Sequence, residues 1–281
     1  MLIVFLFQNG QAYGDTTRES LVVLGDSIAS GYGLSEYTSG NNYSAPLSFG
    51  NMLGAEFQSY RNFAVDGRTS EQLLYSLQDP SEELSQALSG ADKIVISIGG
   101  NDFLKPMLSA VKSAAFGNYE MLEAIISGNF KAEMIGDITN KVLTAALDAA
   151  KKVDLGTIAE NIEQSTREIR KVNRNAEIIV LTIYNPFSGS VLLGAASDIA
   201  FEKLNELNGL ISDINGITVA DVYTAFDGKA NEYTNINRLD IHPNADGHNA
   251  IFELLEGIVK NDKDEQSEEA FFSHPALGLC G

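Results

Sequence analysis

The feature that most constrains this chain is a series of five short apolar runs, separated by stretches with helical periodicity. The runs are Leu21–Leu24, Ser59–Val65, Lys93–Ile98, Glu177–Ile183 and Ile217–Val222. The clearest, Lys93-Ile94-Val95-Ile96-Ser97-Ile98, stops at Gly99-Gly100. A strand that is apolar at consecutive positions has both faces covered, which is the habit of parallel sheets. Helices are expected at about 45–57, 70–77, 82–88, 155–172, 199–214 and 244–259. Two carry plain apolar stripes: Ile158, Ile162 and Ile169, then Phe201, Leu204, Leu207 and Ile211. Strands alternating with helices predict an α/β fold, a parallel sheet with helices on both faces. The segment 103–152 has no strand signal and is rich in Ala, Leu, Ile and Met. It is expected to be a helical insertion after the third strand, forming a cap, an acyl-chain groove or extra helices at the sheet edge.

No internal repeat or linker divides the 281 residues, so one domain is expected over 15–260, with an acidic, charged tail over 261–281. Residues 1–14 open with the apolar run Met1–Phe7 and continue with small and polar residues. That pattern fits the end of a secretory signal without its basic leader, or a stray strand. The first reading implies a secreted or cell-surface protein beginning near Asp15. No window approaches the ~20 apolar residues of a membrane span. The net charge of −19 argues against a nucleic-acid partner, because phosphate binding needs clustered cations. The single cysteine, Cys280, cannot form an internal disulfide and reads as a free thiol in the tail. His242, His248 and His274 form no cluster with it, so no metal site is expected.

In parallel α/β sheets, ligands bind beyond the carboxyl ends of the strands. The residues there are Gly25-Asp26-Ser27, Asp66-Gly67-Arg68-Thr69 and Gly100-Asn101-Asp102, with Asp240-Ile241-His242-Pro243 past the fifth strand. Together they offer a hydroxyl, an imidazole, carboxylates and amide donors, which is what acyl transfer requires. A serine hydroxyl is a poor nucleophile until a base accepts its proton. Histidine suits that role because it titrates near neutrality. A carboxylate fixes the imidazole tautomer and stabilises the imidazolium. Donors must face the oxyanion. The backbone N–H groups of Ser27 and Gly67 and the side-chain amide of Asn101 are the candidates. Each block alone is an ordinary turn or helix cap; their joint placement at strand ends is the signal.

These blocks resemble the GDSL family of esterases and lipases within the SGNH hydrolase superfamily. Leu24-Gly25-Asp26-Ser27 matches the nucleophile motif, and Asn62-Phe63-Ala64-Val65-Asp66-Gly67-Arg68-Thr69 matches the block that carries the oxyanion glycine. Gly99-Gly100-Asn101-Asp102 matches the block of the oxyanion asparagine, and His242-Pro243-Asn244 that of the base. Leu181–Phe187 resembles the bacterial lysophospholipase-like branch. The resemblance implies a flavodoxin-like three-layer α/β/α sandwich with a five-stranded parallel sheet. It also implies cofactor-free hydrolysis of carboxylic esters through an acyl-serine. Ser27 would be the nucleophile, His242 the base and Asp240 the acid, with Ser27, Gly67 and Asn101 holding the oxyanion.

One departure stands out. The family spaces acid and base as Asp-x-x-His, whereas here Leu239 lies three before His242 and Asp240 only two. Asp240 is the best acid if the loop bends it back; otherwise a Ser–His dyad remains. Tyr184, Asn185 and Arg68 are candidate substrate contacts. Asp26 and Asp102 read as loop braces and helix caps, and His248 as a packing or capping residue. The expected substrate is a small-molecule, lipid or glycan ester. A carbohydrate O-deacetylase is the alternative enzyme, and a non-catalytic binding module the alternative of another class.

Overall fold

The computed structural model describes residues 19–38, 45–116, 141, 144, 145, 147–188, 194–238 and 240–272. Residues 1–14, residues 273–281 of the expected tail, and residues 117–140, 142, 143 and 146 of the expected insertion lie outside them. Five strands form one sheet: β1 (Ser20–Gly25), β2 (Ser59–Asn62), β3 (Lys93–Ser97), β4 (Glu177–Leu181) and β5 (Thr218–Ala220). Their order is β2-β1-β3-β4-β5 and every pairing is parallel.

The helices are α1 (Ser27–Ser30), α2 (Phe49–Gly54), α3 (Ser70–Gln78), α4 (Glu82–Ser89), α5 (Gly100–Phe116), α6 (Leu155–Val172), α7 (Gly194–Ser212), α8 (Val222–Ala225), α9 (Ala230–Tyr233) and α10 (Ala245–Phe272), with a 3-10 turn at Ile236–Arg238. Alternate strand residues enter two separate cores. Val22, Leu24, Ile94, Ile96, Ile178 and Val180 pack with Leu73, Leu88, Phe103, Ile162 and Leu207 from α3 to α7. Leu21, Val23, Val95, Ile179 and Leu181 pack on the opposite side with Phe49, Ile251 and Leu255 from α2 and α10. Three layers follow from that division. Each of these side chains, fully buried, contributes roughly 1.5–3 kcal/mol relative to exposure.

The elements begin and end where specific side chains intervene. The first long helix starts at Phe49 instead of near Ala45, because Ser48 accepts from Asn51 N–H and caps it. β2 ends at Asn62, whose Oδ1 takes the N–H of Ala64 at 2.9 Å. β4 stops at Leu181 instead of Ile183. There the amide of Asn208 takes over: its Oδ1 accepts from Ile183 N–H at 2.8 Å and its Nδ2 donates to Ile183 O at 2.9 Å. β5 gives way to α8 because Asp221 accepts from Thr224 N–H. α10 continues as helix to Phe272, past the expected end at 259 and into the acidic, charged segment expected as tail.

The order places β1 between β2 and β3, so the chain leaves β1 towards one edge and returns on its other side. The carboxyl ends of β1 and β3 therefore flank the switch point, where such sheets open a crevice. The two strand ends are stitched there: Gly25 pairs with Ser97, and Asp26 N–H donates to Ser97 O at 3.1 Å. Gly25 has φ 148°, and a Cβ on it would lie 2.1 Å from Ser97 O, so only glycine fits.

Candidate active site

Ser27 is the first residue of α1, immediately beyond β1. The turn is held by Asp26, whose Oδ1 accepts from Ile28 N–H at 3.0 Å, and is closed by Gly31 in the left-handed region. The loop from 234 to 244 comes back over this point. An antiparallel bridge joins Thr234 to Pro243, Asn235 N–H donates to His242 O at 3.0 Å, and Asn244 Nδ2 donates to Glu232 O at 2.7 Å. Tyr184, three residues past β4, donates its hydroxyl to Ile241 O at 2.7 Å.

This loop brings Ser27, His242 and Asp240 into line. His242 Nε2 lies 3.0 Å from Ser27 Oγ, and His242 Nδ1 lies 2.5 Å from Asp240 Oδ1. The same Asp240 oxygen accepts the His242 backbone N–H at 3.0 Å. That is an Asx-type turn, in which an aspartate bonds the backbone two residues on. The turn folds the carboxylate back onto the ring edge, so the i, i+2 spacing brings it within bonding distance of Nδ1. With a carboxylate at Nδ1, the proton sits on Nδ1 and Nε2 is left to accept from the serine hydroxyl.

A cavity of about 470 Å³ opens over these groups. Ser27, Asp240, His242, Asn101, Lys105 and Tyr32 face it, with apolar walls from Ile28, Leu104, Ile183, Tyr184, Pro186 and Ile241. Two of these, Tyr32 and Lys105, carry no local motif. The Tyr32 ring centroid lies 4.6 Å from that of His242. The tyrosine is carried by the loop after α1, and Tyr37 in that loop donates its hydroxyl to Asp66, which also accepts from Ser30 Oγ at 2.6 Å. Lys105 Nζ donates to Gly67 O.

Gly67 has φ 72° and lies beside Lys105, outside the residues that line the cavity. Among the described residues its N–H and that of Ser27 have no acceptor. Asn101 does line the cavity, and its Nδ2 donates to Asp26 Oδ2 at 3.2 Å and to Arg68 O at 3.1 Å. Two of the expected substrate contacts are turned to other work. Arg68 sends its guanidinium to Phe63 O at 3.0 Å, and burial lowers its pKa. Asn185 is buried, and its Oδ1 accepts from Phe187 N–H at 3.0 Å. Neither lines the cavity, whereas Tyr184 does.

Two buried titratable groups lie close behind. Burial pushes the Asp26 carboxyl up to about 7, reinforced by the nearby Asp102 charge and opposed by the Ile28 N–H and the Asn101 amide. Asp102 is itself raised by burial and accepts from both the N–H and the Oγ of Ser70. His248 is fully buried: its Nδ1 accepts from Phe49 N–H at 3.3 Å, and its ring stacks on Phe49, pinning α2 to α10. Burial lowers its pKa to about 3, with a smaller contribution from His242.

Known proteins resemble this chain in sequence and in fold. The model of the GDSL-like lipase/acylhydrolase family matches residues 23–250. Over 267 residues the chain is 23% identical to the uncharacterized protein YpmR of Bacillus subtilis (strain 168), covering 90% of this chain and 86% of that one. Its fold is similar to that of phospholipase A1 from Streptomyces albidoflavus NA297, with a TM-score of 0.60, 19% identity, 85% of this chain covered and 99% of that one. It is similar too to an extracellular lipase from Streptomyces rimosus, with a TM-score of 0.55, 21% identity, and 85% and 99% covered. No helix among the described residues is long and apolar enough to cross a membrane.

Proposed function

The chain belongs to the GDSL-like lipase/acylhydrolase family, and from that premise we propose that it hydrolyses carboxylic esters through an acyl-serine at Ser27. The observation that carries this reading is the continuous line from Ser27 Oγ to His242 Nε2 at 3.0 Å and from His242 Nδ1 to Asp240 at 2.5 Å, at the floor of an open cavity.

Ser27 Oγ attacks the ester carbonyl carbon while its proton passes to His242 Nε2. Asp240 keeps the ring oriented and balances the imidazolium. The oxyanion is held by the Ser27 and Gly67 N–H groups and by Asn101 Nδ2, which exchanges its contact with Arg68 O for the new acceptor. His242 then returns the proton to the departing alkoxide, and the C–O bond breaks. A water molecule, deprotonated by the same nitrogen, attacks the acyl-serine; the acyl–Oγ bond breaks as His242 passes that proton to Ser27 Oγ, and the acid is released. The apolar walls around Ile28, Leu104, Ile183, Pro186 and Ile241 suit an acyl chain. Action outside the cytoplasm, expected from the apolar run Met1–Phe7, is part of the same reading. Recovery of the protein from the medium or surface fraction of its cells checks it.

Hydrolysis of a p-nitrophenyl ester series from acetate to palmitate, by wild type and Ser27→Ala side by side, tests the reaction. Wild-type turnover that falls ~10³-fold or more in the variant supports it. Equal turnover in the two sinks it. Activity confined to acetyl esters of carbohydrates shifts the substrate to a glycan on the same machinery.

A further inference from the structure

The N–H of Gly67 belongs to the peptide between Asp66 and Gly67, which is the middle peptide of a tight turn. Arg68 N–H donates to Val65 O at 3.0 Å, and Gly67, third of the four residues, has φ 72°. A positive φ at that position is the type II arrangement; the commoner type I turn has a negative φ there and its middle peptide turned over. The direction of the Gly67 N–H therefore depends on which form the turn keeps. Its first residue is fixed by backbone, since Val65 N–H donates to Gly25 O at 3.0 Å.

The middle of the turn is fixed by a side chain. Asp66 Oδ1 accepts from Ser30 Oγ at 2.6 Å, and Asp66 Oδ2 accepts from Tyr37 Oη. Ser30 Oγ also lies 3.0 Å from Ser27 O, but a hydroxyl has one proton, and the shorter contact to a charged acceptor takes it. Ser30 ends the single-turn helix α1 that Ser27 begins. One carboxylate thus joins the helix of the nucleophile to the turn of Gly67, across 36 positions of sequence. Tyr37 comes from the segment that carries Tyr32: their rings meet edge-on with centroids 5.3 Å apart, and Tyr32 packs on His242.

Asp66 is exposed, and a carboxylate near an oxyanion repels it, so its charge does not itself favour the reaction. What it supplies is geometry. Two N–H groups that serve one oxyanion must both lie within hydrogen-bond distance of it, so the separation of Ser27 from Gly67 matters as much as the place of either.

Resting on the ester-hydrolase reading and its oxyanion donors, we infer that Asp66 is a positioning residue for catalysis: anchored by Ser30 and Tyr37, it holds the Asp66–Gly67 peptide with its N–H at the oxyanion.

The test measures kcat and KM on the p-nitrophenyl ester that the wild type cleaves fastest. Beside them stands inhibition by an alkyl trifluoromethyl ketone of the same chain length. Its carbonyl carbon bonds to Ser27 Oγ, and the hemiketal carries an oxyanion in the place of the tetrahedral intermediate's own. Wild type, Asp66→Ala, Asp66→Asn, Ser30→Ala and Tyr37→Phe are compared, each checked for folding by its melting temperature. A misplacement of ~1 Å can cost about 10²-fold; the backbone bonds of the turn survive the substitution, so Asp66→Ala is expected to lose about tenfold in kcat. KM should move by about twofold or less, and the ketone should bind more weakly by the same factor as kcat falls. Asp66→Asn, which can still bond both hydroxyls, keeps most of the activity. Ser30→Ala and Tyr37→Phe each lose part of it, and Ser30→Ala adds no further loss in the Asp66→Ala background. The two anchor variants leave the turn's own residues in place, so they carry the test if Asp66→Ala fails to fold. An undiminished kcat in every folded variant, or a loss confined to KM with the ketone bound as before, overturns the role of Asp66 and leaves the hydrolase reading standing. A folded wild type that neither cleaves the esters nor binds the ketone overturns both.

Discussion

Asp240 reaches His242 from two residues away because one carboxylate oxygen bonds both the ring Nδ1 and the backbone N–H of His242. Asp240→Asn leaves an oxygen that can still accept both N–H groups but removes the negative charge that would balance the imidazolium. A fall in kcat of about 10²–10⁴-fold is expected, with KM changed much less. Steady-state kinetics on one p-nitrophenyl ester checks it, and an undiminished kcat would mean that Ser27 and His242 work as a dyad. Gly25 makes a different demand. The Cβ of Gly25→Ala would stand 2.1 Å from Ser97 O and force apart the two strand ends that frame the site. The variant should lose about 3 kcal/mol or more of stability, measured by denaturant unfolding.

This scale also shows what the sequence made legible. The blocks at the strand ends were readable because a hydroxyl, an imidazole and amides all fell at one edge of a parallel sheet. The reach of Asp240 was not readable from spacing, because it depends on an Asx turn that a residue count does not reveal. Tyr32 and Lys105 were missed for another reason. Each belongs to a segment whose local pattern says loop or helix and nothing more, and only the fold brings them to the cavity. Arg68 and Asn185 stand next to motif residues, yet their side chains satisfy backbone groups away from the cavity.

At the scale of elements, the apolar runs gave the strands because both faces of the sheet are covered, so consecutive residues are buried. The run of β4 reads on to Ile183, but its ladder ends two residues sooner because Asn208, from α7, supplies a side-chain amide in place of a strand. That amide fixes the segment carrying Tyr184, whose hydroxyl holds the loop of His242. Asn208→Ala would leave the buried N–H and C=O of Ile183 without these partners, at roughly 1–3 kcal/mol each. A lower melting temperature is expected, together with faster amide exchange over 182–186. Unchanged protection there would show that the segment is held by other contacts.

For the whole molecule, Asp26 and His248 give stability two opposed dependences on pH. An unfolded aspartate titrates near 3.8, whereas Asp26 titrates at about 7 when folded. Between those values the folded chain keeps a proton that the unfolded chain has lost, so this contribution is full below about pH 3.8 and is lost as pH rises towards 7. An unfolded histidine titrates near 6.5, whereas His248 titrates at about 3 when folded. Here the unfolded chain takes up the proton first, so stability is lost as pH falls from about 6.5 towards 3. Each slope is at most about 1.4 kcal/mol per pH unit, and across their shared window the two oppose each other. Relative to wild type, Asp26→Asn should therefore lose stability more steeply on acidification from pH 6.5 to 4. His248→Gln, whose side chain can still accept from Phe49 N–H, should lose it less steeply. Urea unfolding at a series of pH values measures both, and parallel curves for the three proteins would contradict the assignment.

Covalent labelling tests whether Ser27 is an activated nucleophile. The protein is treated with a fluorophosphonate and digested, and the modified peptide is sequenced by mass spectrometry. One adduct is expected, on Ser27, whose rate of formation collapses in His242→Ala. Labelling at another residue, or none on a folded protein, would contradict it.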